Sequence, residues 1–218
     1  MIKPTTNDQK NSWTRREALG ILAAGPVSAA VQPPEIDPEL VRRHDQAVDH
    51  VLERQVTDPK SKWCGSIPDV DGLHMPGSAG SVLVYAYAGY LHPQSRHYHS
   101  RLVIERSQLA ADFLNRAQNE DGTVDLPFTN FNSPPDTGFV IHGVATACLL
   151  AKRAGERELV ALVEGFLRKA GAALAVGGIH TPNHRWVVSS ALAQLNELFP
   201  NEAYLRRINQ WLAEGIDI

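Results

Sequence analysis

Residues 178 to 186 carry the densest set of chemically useful side chains in this sequence. They read Gly-Ile-His-Thr-Pro-Asn-His-Arg-Trp, so an amide, two imidazoles, a guanidinium and an indole lie within one turn of a predicted helix start. Amide and imidazole donors can stabilise negative charge on a ligand, and a guanidinium can pair with a carboxylate. We predict that Asn183 and His184 are catalytic and that Arg185 and Trp186 bind substrate. In the competing interpretation Asn183 caps a helix, and His184 and Trp186 pack in its first turn.

Two earlier loops, residues 58 to 77 and 119 to 135, add aromatic and amide side chains of the kind that bind sugars. An indole offers a flat apolar face to a pyranose ring, whereas amides and imidazoles hydrogen-bond hydroxyl groups. We therefore predict an acidic polysaccharide or oligosaccharide as the partner. The predicted substrate-binding residues in these two loops are Trp63, His74, Asn130 and Asn132.

The Asn-Glu-Asp-Gly-Thr segment at residues 119 to 123 supports two rival interpretations. Asp-Gly is typical of a tight turn, which is the first interpretation. Asp121 and Asp136 could instead flank a glycosidic bond as two carboxylates, which would make the protein a toroidal glycoside hydrolase. A non-catalytic glycan-binding helical domain is a further alternative. We also predict Asp136 as the N-cap of the helix that follows it.

The other histidines carry no predicted role. His142 lies in an apolar helical segment and is predicted to be a satisfied core residue. His92, His97 and His99 lie on a short link and are predicted to be at the surface, with no carboxylate or cysteine near them in sequence to complete a metal site. We predict neither a metal nor a cofactor.

The composition is that of a globular protein rather than a disordered chain. Of the 218 residues, 43% are hydrophobic, which is enough for one domain with a substantial core. The formal net charge of -3 argues against nucleic-acid binding, which needs a dense cationic surface. The two cysteines, Cys64 and Cys148, are too few for a disulfide framework.

The first 31 residues have the pattern of an export signal. Residues 14 to 20 read Thr-Arg-Arg-Glu-Ala-Leu-Gly, and an uncharged, weakly apolar stretch with small residues near its end follows them. Paired arginines before such a stretch resemble a twin-arginine signal, and the stretch is too short to span a bilayer. We predict a signal peptide at residues 1 to 31, a linker at 32 to 37, no membrane span in the mature chain, and a periplasmic or secreted location.

Beyond residue 37 the apolar residues recur at helical spacing, and we find no strand with convincing alternation. One kind of segment has a single apolar stripe, as surface helices do. These segments are residues 39 to 56, 101 to 118, 157 to 174 and 202 to 213. The other kind is apolar nearly all round, which is typical of enclosed helices. These segments are residues 82 to 90, 139 to 150 and 186 to 198.

The two kinds of helix alternate along the chain, and the links between them are unequal in length. Links from a surface helix to the next enclosed helix are long, whereas the return links are short, so the long loops should open on one side. This pattern favours an all-α fold of antiparallel helix hairpins that form an incomplete α/α toroid over residues 38 to 218. The alternative is a plain up-down bundle. The long links are residues 58 to 77, 119 to 135 and 175 to 183.

Three segments together resemble the α/α-toroid portion of heparinase II/III-like polysaccharide lyases. They are the turn at residues 119 to 123, the Thr-Pro-Asn-His-Arg-Trp loop at 181 to 186, and Trp-Leu-Ala-Glu-Gly-Ile-Asp-Ile at 211 to 218. The resemblance implies an exported lyase that cleaves a uronate-containing glycan by β-elimination. By motif, Asn183 and His184 match the residues that neutralise the uronate carboxylate.

The chain departs from that family in length. In the family a β-sandwich follows the toroid, and a proton-transferring tyrosine lies in a later loop. Neither has a matching position here, so we predict that this chain is a truncated part of the enzyme.

Overall fold

The structure is a computed structural model that describes residues 36 to 127 and 129 to 214, and these residues confirm the all-α prediction. They form seven helices and one short hairpin of two strands. The predicted signal peptide at residues 1 to 31 lies outside the described residues. The helices are α1 (Pro38–Arg54), α2 (Pro76–Leu91), α3 (Arg101–Ala117), α4 (Pro134–Arg153), α5 (Glu158–Val176), α6 (His184–Leu198) and α7 (Glu202–Glu214), and the strands are β1 (Val124–Leu126) and β2 (Asn130–Ser133).

The helices form two layers. Helices α2, α4 and α6 pack side by side in the inner layer, in the order of the sequence. Helices α1, α3, α5 and α7 form the outer layer, and each packs against an inner helix next to it in sequence. This arrangement is the predicted alternation of surface and enclosed helices in an incomplete α/α toroid, with the long loops before α2, α4 and α6.

The core lies between the two layers. Leu83, Ile141 and Leu192 of the inner helices have no exposed surface, and neither do Leu114 and Phe166 of the outer helices. Each such side chain contributes about 1.5–3 kcal/mol when it is removed from water. This packing fixes the starts of the inner helices, from which the long loops extend.

Two glycines let the inner helices approach closely. A Cβ at Gly138 on α4 would lie 3.1 Å from Cγ1 of Val187 on α6, and a Cβ at Gly143 would lie 3.3 Å from Cγ2 of Val84 on α2. Contacts this short are rare for a real Cβ atom, so a larger residue would push the helices apart. The close packing keeps the loops at their N-terminal ends together.

One face of the inner layer is open. Tyr85 of α2, Phe139 of α4 and Trp186 of α6 are 46%, 55% and 53% exposed. These helices are therefore buried on most sides but not on all, in keeping with the prediction of helices that are apolar nearly all round. The physical reason is that the described outer helices cover only part of the surface of each inner helix.

The helix starts confirm one predicted cap position and correct another. Helix α6 begins at His184 with Asn183 at the N-cap, although the Asn183 side chain makes no capping bond. The N-cap of α4 is Ser133, whose hydroxyl accepts from the N–H of Asp136, so Asp136 lies in the first turn. Two prolines, Pro134 and Pro135, fill the positions between them because proline fits a first turn that needs no N–H partner.

The second long loop contains an antiparallel hairpin that the sequence pattern did not predict. Val124 of β1 lies opposite Ser133 of β2, and Leu126 lies opposite Asn130, with an irregularity in register between them. Strands of three and four residues are too short to show a period of two, and the irregularity interrupts it further.

His97 is buried, which corrects the prediction of a surface histidine with no carboxylate nearby. Its Nε2 lies 3.0 Å from Oδ1 of Asp49 on α1, a residue distant in sequence. Cys64 and Cys148 are both buried and free. No helix within the described part of the chain is long and apolar enough to cross a membrane.

Candidate functional site

Trp63 and His74 of the first long loop form a stacked pair. Their ring centroids are 4.8 Å apart and their planes differ by 7°. Nδ1 of His74 lies 2.7 Å from the hydroxyl of Ser66, which also lies 2.7 Å from the carbonyl oxygen of Trp63. Two oxygen atoms at that distance need a proton between them, so Ser66 donates to the carbonyl and accepts from His74. His74 therefore carries its proton on Nδ1, and Nε2 is the acceptor.

A cavity of about 200 Å³ lies beside this pair. Burial lowers the pKa of His74, and the nearby charge of Asp69 offsets part of that effect, so the ring is neutral at pH 7. Lys62 and Arg116 also line the cavity, and Nζ of Lys62 is 4.5 Å from the centre of the Trp63 ring. The two cations outnumber the one carboxylate of the lining, Asp125, so an aromatic face with a net positive surrounding suits an anionic sugar unit.

Asp125 connects the first loop to the second. It lines the same cavity as Trp63 and His74. Its Oδ1 accepts from Nδ2 of Asn119 at 2.8 Å and from the backbone N–H of Asn132 at 2.8 Å. Asn132 has φ of 48°, a left-handed conformation that asparagine tolerates better than most residues. The structure thus places the predicted residue Asn132 one contact away from the cavity.

Asp121 stabilises its own loop by accepting hydrogen bonds from other residues of that loop. Its Oδ1 accepts from the hydroxyl of Thr123 at 2.6 Å and from the Thr123 N–H at 2.9 Å, and its Oδ2 accepts from Nδ2 of Asn132 at 3.1 Å. Hydrogen bonds from Thr123, and then from Asn132, lower the pKa of Asp121. A carboxylate held ionised by three donors stabilises a turn and is poorly suited to act as the acid of a hydrolase.

A second polar cluster joins the hairpin to the third loop. Oδ2 of Asp136 accepts from Nδ2 of Asn130 at 3.0 Å and from the hydroxyl of Ser133. The same hydroxyl, which has no exposed surface, lies 3.3 Å from Nε2 of His180. The predicted residue Asn130 is therefore connected to the third loop through Asp136 and Ser133.

His180 and His184 lie in one aromatic cluster with Phe139. The rings of His180 and His184 meet edge to face with centroids 5.9 Å apart, and Phe139 lies 6.3 Å from His184. Nδ1 of His184 is buried and has no hydrogen-bond partner among the residues described. The side chain of Asn183 is exposed, and its Oδ1 accepts from the hydroxyl of Thr181. This bond leaves the Asn183 amide group as a donor for a ligand.

The backbone at the start of α6 is already hydrogen-bonded. The N–H groups of His184, Arg185 and Trp186 donate to carbonyls within the preceding turn. An anion at this position must therefore be held by side chains, assisted by the helix dipole, rather than by free N–H groups.

Arg185 and Trp186, both predicted to bind substrate, lie in different environments. The guanidinium of Arg185 is 3.1 Å from the carboxylate of Glu214 and 5.7 Å from the ring centre of Trp211, both on α7. These contacts favour a role in holding α6 to α7. Trp186 is exposed on the open inner face, where its indole is available to a ligand.

His142 is half-buried rather than part of the apolar core. Its Nε2 lies 2.8 Å from the hydroxyl of Ser190 and 3.3 Å from the carbonyl of Val187, both on α6. These polar contacts connect α4 and α6 on the open face. The prediction that His142 is a satisfied residue agrees with them.

The contacts above connect residues of all three long loops. The hairpin joins the cavity of the first loop, through Asp125, to the third loop, through Ser133. We call this connected group of residues the loop rim. It consists of Trp63, His74, Asn130, Asn132, His180, Asn183 and His184.

Sequence reasoning missed several residues that organise the loop rim. The Ser133-Pro-Pro-Asp136 spacing resembles a capping box and could have indicated Ser133. Ser66 and Asp125 carry no local signal, because the groups that they contact are brought to them by turns and by a hairpin. Phe139 was recognised only as part of an apolar helix.

No protein-family model matches the chain, and no curated protein matches it. A solved structure of a protein named as a polysaccharide lyase is similar to it, with 13% sequence identity and a TM-score of 0.39. The similarity covers 82% of this chain and 35% of that protein, so this chain spans about a third of its length. At this level of similarity the function must be argued from the site.

Proposed function

We propose that the loop rim binds a uronate-containing glycan and that this chain is the toroid portion of a polysaccharide lyase that cleaves the glycan by β-elimination. The observation that carries the proposal is the hairpin, which joins the Trp63 and His74 cavity to the loop that bears Asn183 and His184. A long polymer could therefore contact both groups at once. The twin-arginine pattern supports a further proposal that the enzyme is exported to meet such a polymer.

In this proposal Asn183 and His184 bind the carboxylate of the sugar that reacts. Removal of the proton next to a carboxylate is slow because the resulting carbanion is poorly stabilised. The amide of Asn183, oriented by Thr181, donates to the carboxylate oxygen on which charge develops. A single preorganised donor of this kind contributes about 2.7–4 kcal/mol to transition-state stabilisation.

The cavity of the first loop binds a sugar away from the reacting bond. Trp63 supplies a stacking face, Nε2 of His74 accepts from a hydroxyl, and Lys62 and Arg116 attract a carboxylate. Asn130 and Asn132 lie on the hairpin that connects the cavity to the third loop. Trp186 extends the binding surface onto the open inner face, whereas Arg185 would have to leave Glu214 before it could contact glycan.

The test is product analysis with the full-length protein and uronate-containing glycans. Elimination produces a 4,5-unsaturated sugar that absorbs in the near ultraviolet. We expect Asn183→Ala to lower kcat by about 10²–10³-fold. Its thermal stability should stay near that of the wild type, because the side chain makes no capping bond. Asn209→Ala, at an exposed position on α7, is the matched control and should keep full activity.

Two results would replace the proposal. New reducing ends without ultraviolet-absorbing product would identify a glycoside hydrolase. Glycan binding with neither product would identify a non-catalytic binding domain. Full activity of Asn183→Ala would remove Asn183 from the mechanism.

A further inference from the structure

The proposed elimination needs a proton acceptor beside Asn183 and His184, and His180 occupies that place. His180 precedes Asn183 by three residues in the same loop, and its side chain is exposed. Its ring lies 5.9 Å from that of His184. A sugar whose carboxylate contacts Asn183 and His184 would therefore lie beside the His180 imidazole.

The hydrogen bonds of Ser133 determine which nitrogen of His180 carries a proton. A hydroxyl has one proton, and Ser133 donates it to the carboxylate of Asp136. The backbone N–H of Asp136 can only donate to Ser133, at 3.4 Å. Nε2 of His180, 3.3 Å from the same oxygen, must therefore carry a proton and donate it. The other ring nitrogen, Nδ1, is left with its lone pair.

We infer that His180 is the catalytic base of the proposed elimination, and that Ser133 and Asp136 are positioning residues that keep its Nδ1 free of a proton. This inference rests on the proposed function. The inference assigns the proton transfer to His180, which lies in the same loop as Asn183, the residue proposed to bind the substrate carboxylate.

The elimination balances with His180 as the only proton carrier. Nδ1 takes the proton from C5 of the uronate, and the C5–H electron pair becomes the C4=C5 double bond. The C4–O4 bond breaks, and its electron pair leaves on O4. The His180 imidazolium then gives its new proton to O4, which returns the residue to its starting state. The products are an unsaturated sugar and a new hydroxyl group.

The other histidines of the loop rim are less suited to this role. His184 has a buried Nδ1 without a partner among the described residues, so only its other nitrogen can reach a ligand. Nε2 of His74 can accept a proton, but His74 lines the cavity of the first loop. The contacts described above connect it to the third loop through the hairpin. Its position suits binding of a neighbouring sugar.

Removal of the imidazole is the direct test. We expect His180→Ala in the full-length protein to lower kcat by about 10²–10⁴-fold, the usual contribution of a general base. Added imidazole should restore part of the lost activity, because a small base can enter the space left by the side chain. His50→Ala, at an exposed position on α1, is the control and should retain wild-type activity with no response to imidazole.

The positioning role has its own test, which needs no substrate. In ¹⁵N-labelled wild-type protein, the shifts of His180 should report a protonated Nε2 and an unprotonated Nδ1. Asp136→Ala removes the acceptor of the Ser133 proton, so Ser133 can donate to Nε2 of His180 instead. The His180 shifts should then move toward the opposite tautomer, and kcat should fall with little change in KM. A structural role alone would leave the tautomer unchanged.

The outcomes separate the inference from the proposed function. Wild-type activity in His180→Ala, or loss of activity with no rescue by imidazole, would overturn the role of His180 while the lyase proposal stands. An unprotonated Nε2 in the wild-type spectrum would overturn the positioning role. If the wild-type protein forms no unsaturated product from any uronate glycan, the proposed function fails and this inference fails with it.

Discussion

The imidazole of His74 lies flat against the indole of Trp63, so the fluorescence of Trp63 should report the charge on His74. Burial lowers the pKa of His74 from its ordinary value of 6.5. The ring is therefore neutral at pH 7 and gains a proton only below pH 6.5. Because an imidazolium quenches a stacked indole, emission should fall with a midpoint below pH 6.5. His74→Gln should remove this transition while the other tryptophans emit as before, and an identical titration in that variant would refute the assignment.

Trp63 lies in the first-loop cavity, and Asn183 does not line that cavity, which predicts a selective effect of Trp63→Ala. Loss of a stacking face worth about 1 kcal/mol should raise KM for long oligosaccharides about fivefold. The value of kcat should change little, because Trp63 does not contact the reacting sugar in our proposal. Steady-state kinetics on oligosaccharides of increasing length would test this. A large fall in kcat with unchanged KM would place Trp63 at the reaction centre instead.

Gly65 should tolerate no side chain, whereas Gly72 should tolerate one at moderate cost. Both have positive φ, at 97° and 78°, so alanine at either position costs about 1–2 kcal/mol of backbone strain. A Cβ at Gly65 would also lie 1.8 Å from the carbonyl oxygen of Leu109, whereas nothing lies within 4 Å of one at Gly72. Urea unfolding should therefore show a much larger loss for Gly65→Ala. Equal losses would contradict the packing of the first loop against α3.

Asp121 should stabilise the fold without taking part in catalysis. Its pKa is lowered in the folded protein, so its contribution is present above the ordinary value of 3.8 and is lost as pH falls through the lowered value. Asp121 is exposed, so solvent screens its charge, and Asp121→Ala should cost about 0.5–1 kcal/mol at pH 7 through loss of the acceptor for the Thr123 and Asn132 hydrogen bonds. Glu120→Gln, at the exposed neighbouring position, should have little effect. A stable but inactive Asp121→Ala would support the hydrolase interpretation.

Arg185 should contribute to stability more than to glycan binding. Its side chain is 19% exposed and pairs with Glu214 beside Trp211. We expect Arg185→Ala to lower the free energy of unfolding by about 1 kcal/mol, with KM within twofold of the wild type. Arg43→Ala, at a mostly exposed pair on α1, is the comparison and should cost less. A large rise in KM at unchanged stability would instead support the original prediction that Arg185 binds substrate.

Much of the fold was predictable from the spacing of apolar residues. The starts and ends of α3 and α7 differ by a single residue or less from their predicted ranges, and the outer and inner helices alternate as expected. Helical periodicity is a local property that each helix shows by itself. The sequence pattern did not predict the hairpin between α3 and α4, because its strands are too short to show a period of two. It also predicted Asp136 rather than Ser133 as the N-cap of α4, because the two prolines that follow Ser133 are part of the first turn.

The sequence by itself determined where the helices lie, which loops are long, and which loops hold the polar and aromatic residues. Tertiary structure alone decided what those side chains contact. Ser133 meets His180 from 47 residues away, and Arg185 faces α7 rather than the loop rim. The direction of a side chain depends on the elements packed around it, and helical periodicity does not specify which distant loop will supply the partner.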